Sequence, residues 1–235
     1  MSEPSAPVAS RPRVDAAALD AAIAGYHRAE RVASWALALL VAGAFLAAVA
    51  ALSVWPGVAV ALLLGIALRV PAFRRSGTVR LRTDAPPETV IEEFASATPP
   101  TLALQWGVAD EVRRPPDATA TYAFSSLFGL RSAEIDLAVE RVDGAATDDG
   151  TDLDRGDPVA TAEIEGTAGG KPWGSYAVAV REAPGGGSVV DVELRPTRRF
   201  DLRRLPQGRV AERYYADALA AQGYEVVERS VSLTR

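Results

Sequence analysis

The sequence predicts an α+β protein: an N-terminal transmembrane helical hairpin, then an antiparallel sheet packed on a long C-terminal helix. Three observations lead there. Val32 to Leu68 is a run of 37 residues without one charged side chain. From Thr78 onward, short stretches alternate apolar and polar residues, the period of a strand with one wet face. Leu205 to Gln222 repeats its apolar residues at three and four, the period of an amphipathic helix.

Residues 1–32 come first. Positions 1–13 are rich in Ser, Pro and Ala without periodicity and are expected to be disordered. Asp15 is a plausible N-cap for an alanine-rich helix running through Tyr26 and Arg31 into the apolar run. That helix either extends into the cytoplasm or lies along the membrane surface.

The hairpin is assigned to residues 33–73. A bilayer core about 30 Å thick needs about 20 apolar residues per helix, so the run is too long for one span. It breaks at Ser53-Val54-Trp55-Pro56-Gly57. The first span covers Ala33 to Leu52, with Trp35 and Trp55 20 residues apart, about 30 Å, as two aromatic belts would be. Pro56 suits the first turn of the second helix. The uncharged part of that helix, Gly57 to Leu68, is short. It is therefore expected to reach Phe73 with Arg69 snorkelling to the headgroups; the alternative is a re-entrant or interfacial helix. Gly43, Ala47 and Ala51, and Gly57, Ala61 and Gly65, form two stripes of small residues, a pattern that lets helices approach closely in lipid. Arg28 and Arg31 precede the hairpin, and Arg69, Arg74, Arg75, Arg80 and Arg82 follow it. The excess of basic residues at both ends predicts a multi-pass protein of the cell membrane with both termini in the cytoplasm.

Residues 76–235 form the expected cytoplasmic domain. Thr78–Arg82 reads as a short strand. Asp84-Ala-Pro-Pro-Glu opens a helix with Val90, Ile91, Phe94 and Ala97 on one face, ended by Thr98-Pro-Pro. Leu102 to Val112 is ambiguous between helix and strand. Strands follow around Tyr122 and Phe124, Ile135 to Val139, Ala160 to Ile164, Tyr176 to Val180, and Val190 to Leu194. The long helix ends at Gly223, placed at the C′ position; its expected buried stripe is Val210, Tyr214, Ala218 and Ala221, with Tyr215 and Leu219 beside it. Tyr224 to Leu233 reads as one more strand.

That order, and the stretch Val79-Arg-Leu-Arg-Thr-Asp-Ala-Pro-Pro-Glu-Thr-Val, resemble the helix-grip fold of the START and polyketide-cyclase superfamily over about Ser76 to Gln222. The strand after the long helix departs from the family pattern. The resemblance implies a curved sheet gripping the long helix around an apolar cavity that binds lipids, sterols, polyketides or similar hydrophobic ligands. Candidate lining residues are Trp106, Tyr122, Phe124, Trp173, Tyr176 and Tyr214. The alternative is that these aromatics fill the core.

Composition narrows the chemistry. There is no cysteine, and His27 is the only histidine, so thiolate chemistry, a His-based triad and a multi-histidine zinc site are excluded from the domain. No cofactor and no catalytic residue is assigned. Arginine outnumbers lysine 24 to 1, and residues 76–235 carry 26 acids against 18 bases, a net charge of −8. Such a surface fits salt adaptation, because at molar salt the Debye length falls to about 3 Å and self-repulsion is screened.

Three motifs are weighed. Asp148 to Asp157 is acidic, but counting from Asp152 puts Gly156 and Asp157 where an EF-hand needs a ligand and then glycine; it reads as a solvated loop, not a metal site. Gly169-Gly-Lys-Pro lacks the first glycine and the hydroxyl of a phosphate loop and reads as a hairpin turn. Arg195, Arg198, Arg199, Arg203, Arg204, Arg209 and Arg213 are one basic cluster in an acidic domain. Contact of Arg198, Arg199, Arg203 and Arg204 with anionic headgroups is the preferred functional reading; the alternative is pairing with neighbouring carboxylates. The expected partners are the lipid bilayer, a hydrophobic small molecule or a protein, with no nucleic acid. An anchored ligand-binding domain and a tethered interaction module remain as competing expectations.

Overall fold

A computed structural model describes residues 14–126, 131–143 and 157–234. The acidic stretch weighed as a calcium loop lies, except for Asp157, outside the described residues, as do residues 1–13.

The first helix, α1 (Ala16–Leu52), is 37 residues long, about 55 Å at 1.5 Å per residue. Asp15 caps it, its carboxylate accepting from the Ala18 N–H at 3.0 Å. Its 18-residue apolar window has a mean hydropathy of 2.4, and among the described residues α1 alone is long and apolar enough to cross a membrane. Ser53, at φ 123°, turns the chain into α2 (Val54–Arg69, 16 residues), about 24 Å long. The second helix folds back along the first. The two helices pack against each other, with Gly57 of α2 against Val49 of α1. Of the small-residue stripes only the Gly57 end matters: a Cβ there would lie 3.2 Å from the Val49 Cα, whereas Gly43 and Gly65 have nothing within 4 Å.

The helix stops at Arg69, not at Phe73. Pro71 cannot continue it, lacking the N–H and clashing with the preceding turn, and Pro71–Thr83 is strand β1, 13 residues long. The short strand expected at Thr78–Arg82 is therefore the far half of a strand that begins directly at the end of α2.

The helix α3 (Pro87–Phe94) buries Val90, Ile91 and Phe94, with Ala97 just beyond it. The ambiguous stretch is mixed: a 3-10 turn at Pro100–Leu102, the short α4 (Ala103–Trp106) and an edge strand β2 (Glu111–Arg113). A meander follows through β3 (Ala120–Ser126), β4 (Arg131–Asp143), β5 (Ala160–Ala168), β6 (Lys171–Glu182) and β7 (Ser188–Arg195). The Gly169-Gly170 pair, at φ 57° and 70°, makes the β5–β6 turn. Beyond β7 come the two-residue β8 (Phe200–Asp201), a 3-10 turn at Leu202–Arg204, helix α5 (Leu205–Ala220) and strand β9 (Glu225–Thr234). Gly223, at φ 83°, closes α5 while the Tyr224 N–H reaches back to the Leu219 carbonyl at 3.0 Å.

The strand order is β2-β3-β4-β5-β6-β7-β1-β8, with β9 also on β1. Strand β1 is hence the hub, pairing antiparallel with β7 from Gly77 to Thr83 and with β9 from Arg74 to Arg82. Alternation fixes the faces. Leu81, Tyr122, Leu137, Ile164, Val178, Val180, Val190 and Val192 point into one core with Phe94, Leu219 and Tyr224. The other face carries ion pairs such as Arg80–Asp191 at 2.8 Å and Arg195–Glu163 at 2.8 Å.

A second cluster joins Leu19 and Ala22 of α1 to Ala103 and Leu104 of α4 and Ala218 and Ala221 of α5. The Asp15 N–H also donates to the Ala221 carbonyl at 2.7 Å. The first half of α1 is thus part of the domain. One continuous helix belongs to the folded core at one end and to the apolar run at the other.

Candidate functional site

The six aromatic candidates divide between the two clusters. Tyr122 is fully buried, and its hydroxyl donates to the Ala97 carbonyl at 2.8 Å; burial pushes its phenol pKa well above the usual range. Trp106 donates from Nε1 to the Pro99 carbonyl at 3.0 Å and packs against both clusters. Phe124, Trp173 and Tyr176 border the main core. Trp173 lies over Gly166, where a Cβ would come within 2.8 Å of its Cε3. Tyr214 is apart from the rest, in the second cluster against α1. A Cβ on Gly25 would lie 2.7 Å from its ring, so glycine is what admits it.

Near Tyr176 the space between sheet and long helix turns polar. Arg75 of β1 pairs with Glu212 of α5 at 3.2 Å. The Arg229 guanidinium lies 4.7 Å from the Tyr215 ring centroid and donates to the Glu212 carbonyl at 3.3 Å. Burial, then the neighbouring Tyr176, raises the Tyr215 pKa, while Arg229 and Arg75 oppose the shift. This cluster fastens the first residues of β1 to α5.

Two cavities flank α1, and none of the six aromatics lines either. One, of about 910 Å³, lies between Ile23, His27, Arg31 and Trp35 of α1 and the Gly107–Ala109 segment. Gly107 is tightly placed there, a Cβ meeting Ile23 Cγ1 at 2.9 Å. The other, of about 800 Å³, runs along the seam of α1 and α2 from Ala33 and Leu68 to Phe45 and Ala61, with Arg203 and Arg204 at one end.

The basic cluster read from sequence separates into parts with different surroundings. Arg195 pairs with Glu163 on the outer sheet face. Arg198 is half-buried, and its pKa is lowered by burial first and by Arg204 second, with Asp201 acting the other way. Arg199 is exposed. Of the four headgroup candidates, Arg203 and Arg204 line the seam cavity. Their links to Asp201 are loose, 3.8 and 3.9 Å, and their side chains are 53% and 44% exposed. Such pairs are worth little in water, so both guanidiniums can serve another anion.

Of the seam residues, Ala61 stands in a small-residue stripe read from the sequence, whereas Leu37, Val41 and Phe45 carry no sequence signal of their own. Their four-residue spacing on α1 was visible, but their alignment with an arginine turn some 160 positions later was not. Among the described residues no group of three or more His, Asp or Glu side chains could hold a metal.

No family model matches the chain and no curated protein matches it. Among solved structures, it is similar to one of an uncharacterized protein from Rhizobium leguminosarum: 13% identity, 63% of this chain and 97% of that chain covered, TM-score 0.32. A likeness that distant has no bearing on function.

Proposed function

We propose that the protein is a membrane-anchored domain that takes a hydrophobic or lipid-like ligand from the bilayer at the inner membrane surface. The observation that carries this is the seam cavity of about 800 Å³, apolar along α1 and α2 and basic at the end formed by Arg203 and Arg204. Its volume is in the range of ligand sites, roughly 300–1,000 Å³. In this reading α1 spans and α2 is a second, shorter crossing that relies on its contact with α1. Both termini lie in the cytoplasm, as the arginines on either side of the hairpin favour.

The strand order supports a helix-grip-like domain. An opening strand is followed by helical elements, a meander returns to that strand's edge, and a long helix comes after. The ligand position shifts, however. Tyr122, Phe94, Leu219 and Tyr224 occupy the space where a helix-grip cavity would be, and the ligand is assigned to the seam between anchor and domain.

A packed core also favours a second reading, a tethered interaction module without ligand. Native mass spectrometry of the full chain, released from its own membrane, separates the two. The full chain is required because Leu19 and Ala22 belong to the folded unit. A retained mass that disappears on denaturation supports the ligand reading; a clean apo mass from folded protein supports the interaction module.

A further inference from the structure

We propose that the seam cavity binds one anionic glycerophospholipid of the inner leaflet, its acyl chain lying along α1 and α2 and its phosphate held between Arg203 and Arg204. This rests on the reading of α1 as a membrane span and specifies the ligand of that site.

Three features of the groove select such an occupant. The first is length. The wall on α1 runs from Ala33 through Leu37 and Val41 to Phe45, a rise of about 18 Å, against about 15 Å for one leaflet of a 30 Å core. The groove is one monolayer deep and ends where that leaflet ends.

The second is polarity along that length. Within the hairpin its lining is Ala33, Ser34, Leu37, Ala38, Val41, Ala42, Phe45, Ala61 and Leu68, without a charge. Charge enters only at the domain end, where Arg203, Arg204, Pro206 and Gln207 complete the rim. The antiparallel hairpin sets the depth: Gly57 meets Val49 near the turn, which places Ala61 beside Phe45 and Leu68 beside Ala38. The guanidiniums are therefore at headgroup level while Phe45 and Ala61 are near mid-bilayer. An amphiphile with an anionic head and an apolar tail matches this order; a peptide would bring backbone N–H and C=O groups that the apolar wall cannot satisfy.

The third is the state of the arginines. They hold Asp201 only at 3.8 and 3.9 Å, and the Asp201 Oδ1 atom is buried without a hydrogen-bond donor. One carboxylate faces two guanidiniums, so an excess positive charge remains at the rim. Arginine is suited to phosphate because its planar fork donates two parallel hydrogen bonds. The first cavity also sets one carboxylate, Asp20, beside two arginines, Arg28 and Arg31, but its far wall is the Gly107–Ala109 segment and not a second apolar helix.

The test uses the full chain in nanodiscs made of equal parts phosphatidylglycerol and phosphatidylcholine of identical chains, with native mass spectrometry of the released protein. Retained lipid is expected to favour phosphatidylglycerol by about tenfold or more, the effect of two basic groups beside an anionic head. The double variant Arg203→Ala, Arg204→Ala should lose that preference, whereas Arg209→Ala should keep it. Val41→Trp should reduce retention of both lipids by filling the wall. Equal retention of the two lipids, or a preference that survives the double variant, overturns the anionic-lipid assignment while leaving the anchored ligand reading intact. Loss of all retained lipid on adding inorganic phosphate overturns it as well, because the chain then contributes nothing. Failure of the protein to enter nanodiscs at all sinks the membrane reading itself.

Discussion

Replacing Gly25 by alanine sets two effects of known size against each other. Inside a helix alanine is favoured over glycine by about 1 kcal/mol, and Gly25 lies well within α1. The new Cβ, however, would stand 2.7 Å from Cε1 and 3.3 Å from Cζ of Tyr214. Either the ring leaves the second cluster or α1 lifts away from α5. Overpacking of this kind costs about 1–3 kcal/mol, so the clash cancels or exceeds the propensity gain. Gly25→Ala should therefore lower stability by about 0–2 kcal/mol. For a chain of this size that is a fall in Tm of up to about 8 °C. Removing the ring reverses the sign. In a Tyr214→Ala background, Gly25→Ala should recover about 1 kcal/mol and raise Tm by about 2–4 °C. The assay is thermal unfolding of the full chain in one detergent, followed by far-ultraviolet circular dichroism across the four-member cycle. Equal stabilisation in both backgrounds would mean that Tyr214 does not press on α1, and the docking of α1 on α5 would be refuted.

Three further outcomes are expected. Tyr224→Phe removes the hydroxyl that donates to Glu93 at 2.5 Å from a residue only 1% exposed; the loss of a hydrogen bond to a charged group should cost about 1.5–3 kcal/mol, read as a lower urea midpoint at unchanged slope. Gly166→Ala should displace Trp173, whose Cε3 would be 2.8 Å from the new Cβ, and blue-shifted tryptophan emission should move toward the solvent-exposed value; unchanged emission would show that the indole does not rest on β5. Burial holds the phenols of Tyr122, Tyr215 and Tyr224 above the ordinary 10.0. Because the folded values are raised, the stability from these neutral phenols is complete below pH 10 and is lost as pH climbs through the folded values. Tyrosinate absorbance should then rise in a late step together with loss of circular dichroism, and titration of every tyrosine near pH 10 in an intact fold would contradict it.

Much of the domain was legible because its strands obey a local rule. With a period of two, Ile135 and Leu137, Ala160 to Ile164, and Val190 and Val192 declare their inward face without reference to any partner. Asp15 and Gly223 mark helix ends for equally local reasons, one offering a carboxylate to free N–H groups and the other tolerating positive φ. Pro71 was the overlooked signal. It ends α2 and starts β1, a local backbone constraint that hydropathy, which extends the helix to Phe73, does not contain.

The candidate site was less legible. Large rings suit cavities and cores equally, and Tyr122 fills space as well as it could line it. Conversely, Ala33, Ala38 and Ala61 have nothing in their chemistry to suggest a binding wall. Their significance comes from what lies opposite them.

By itself the chain determined where apolar surface must be hidden: in a run long enough for a membrane, on one face of each strand and on one stripe of the last helix. Those are consequences of side-chain periodicity, which neighbours in sequence suffice to define. Tertiary structure decided which hidden surfaces meet. It seated the first turns of α1 on α5 through Gly25 and Tyr214, made β1 the shared partner of β7 and β9, filled the space between sheet and helix, and brought Arg203 and Arg204 to the hairpin seam. Each of these joins residues far apart in the chain, and the choice among such pairings rests on shape and charge complementarity that exists only once both partners have folded.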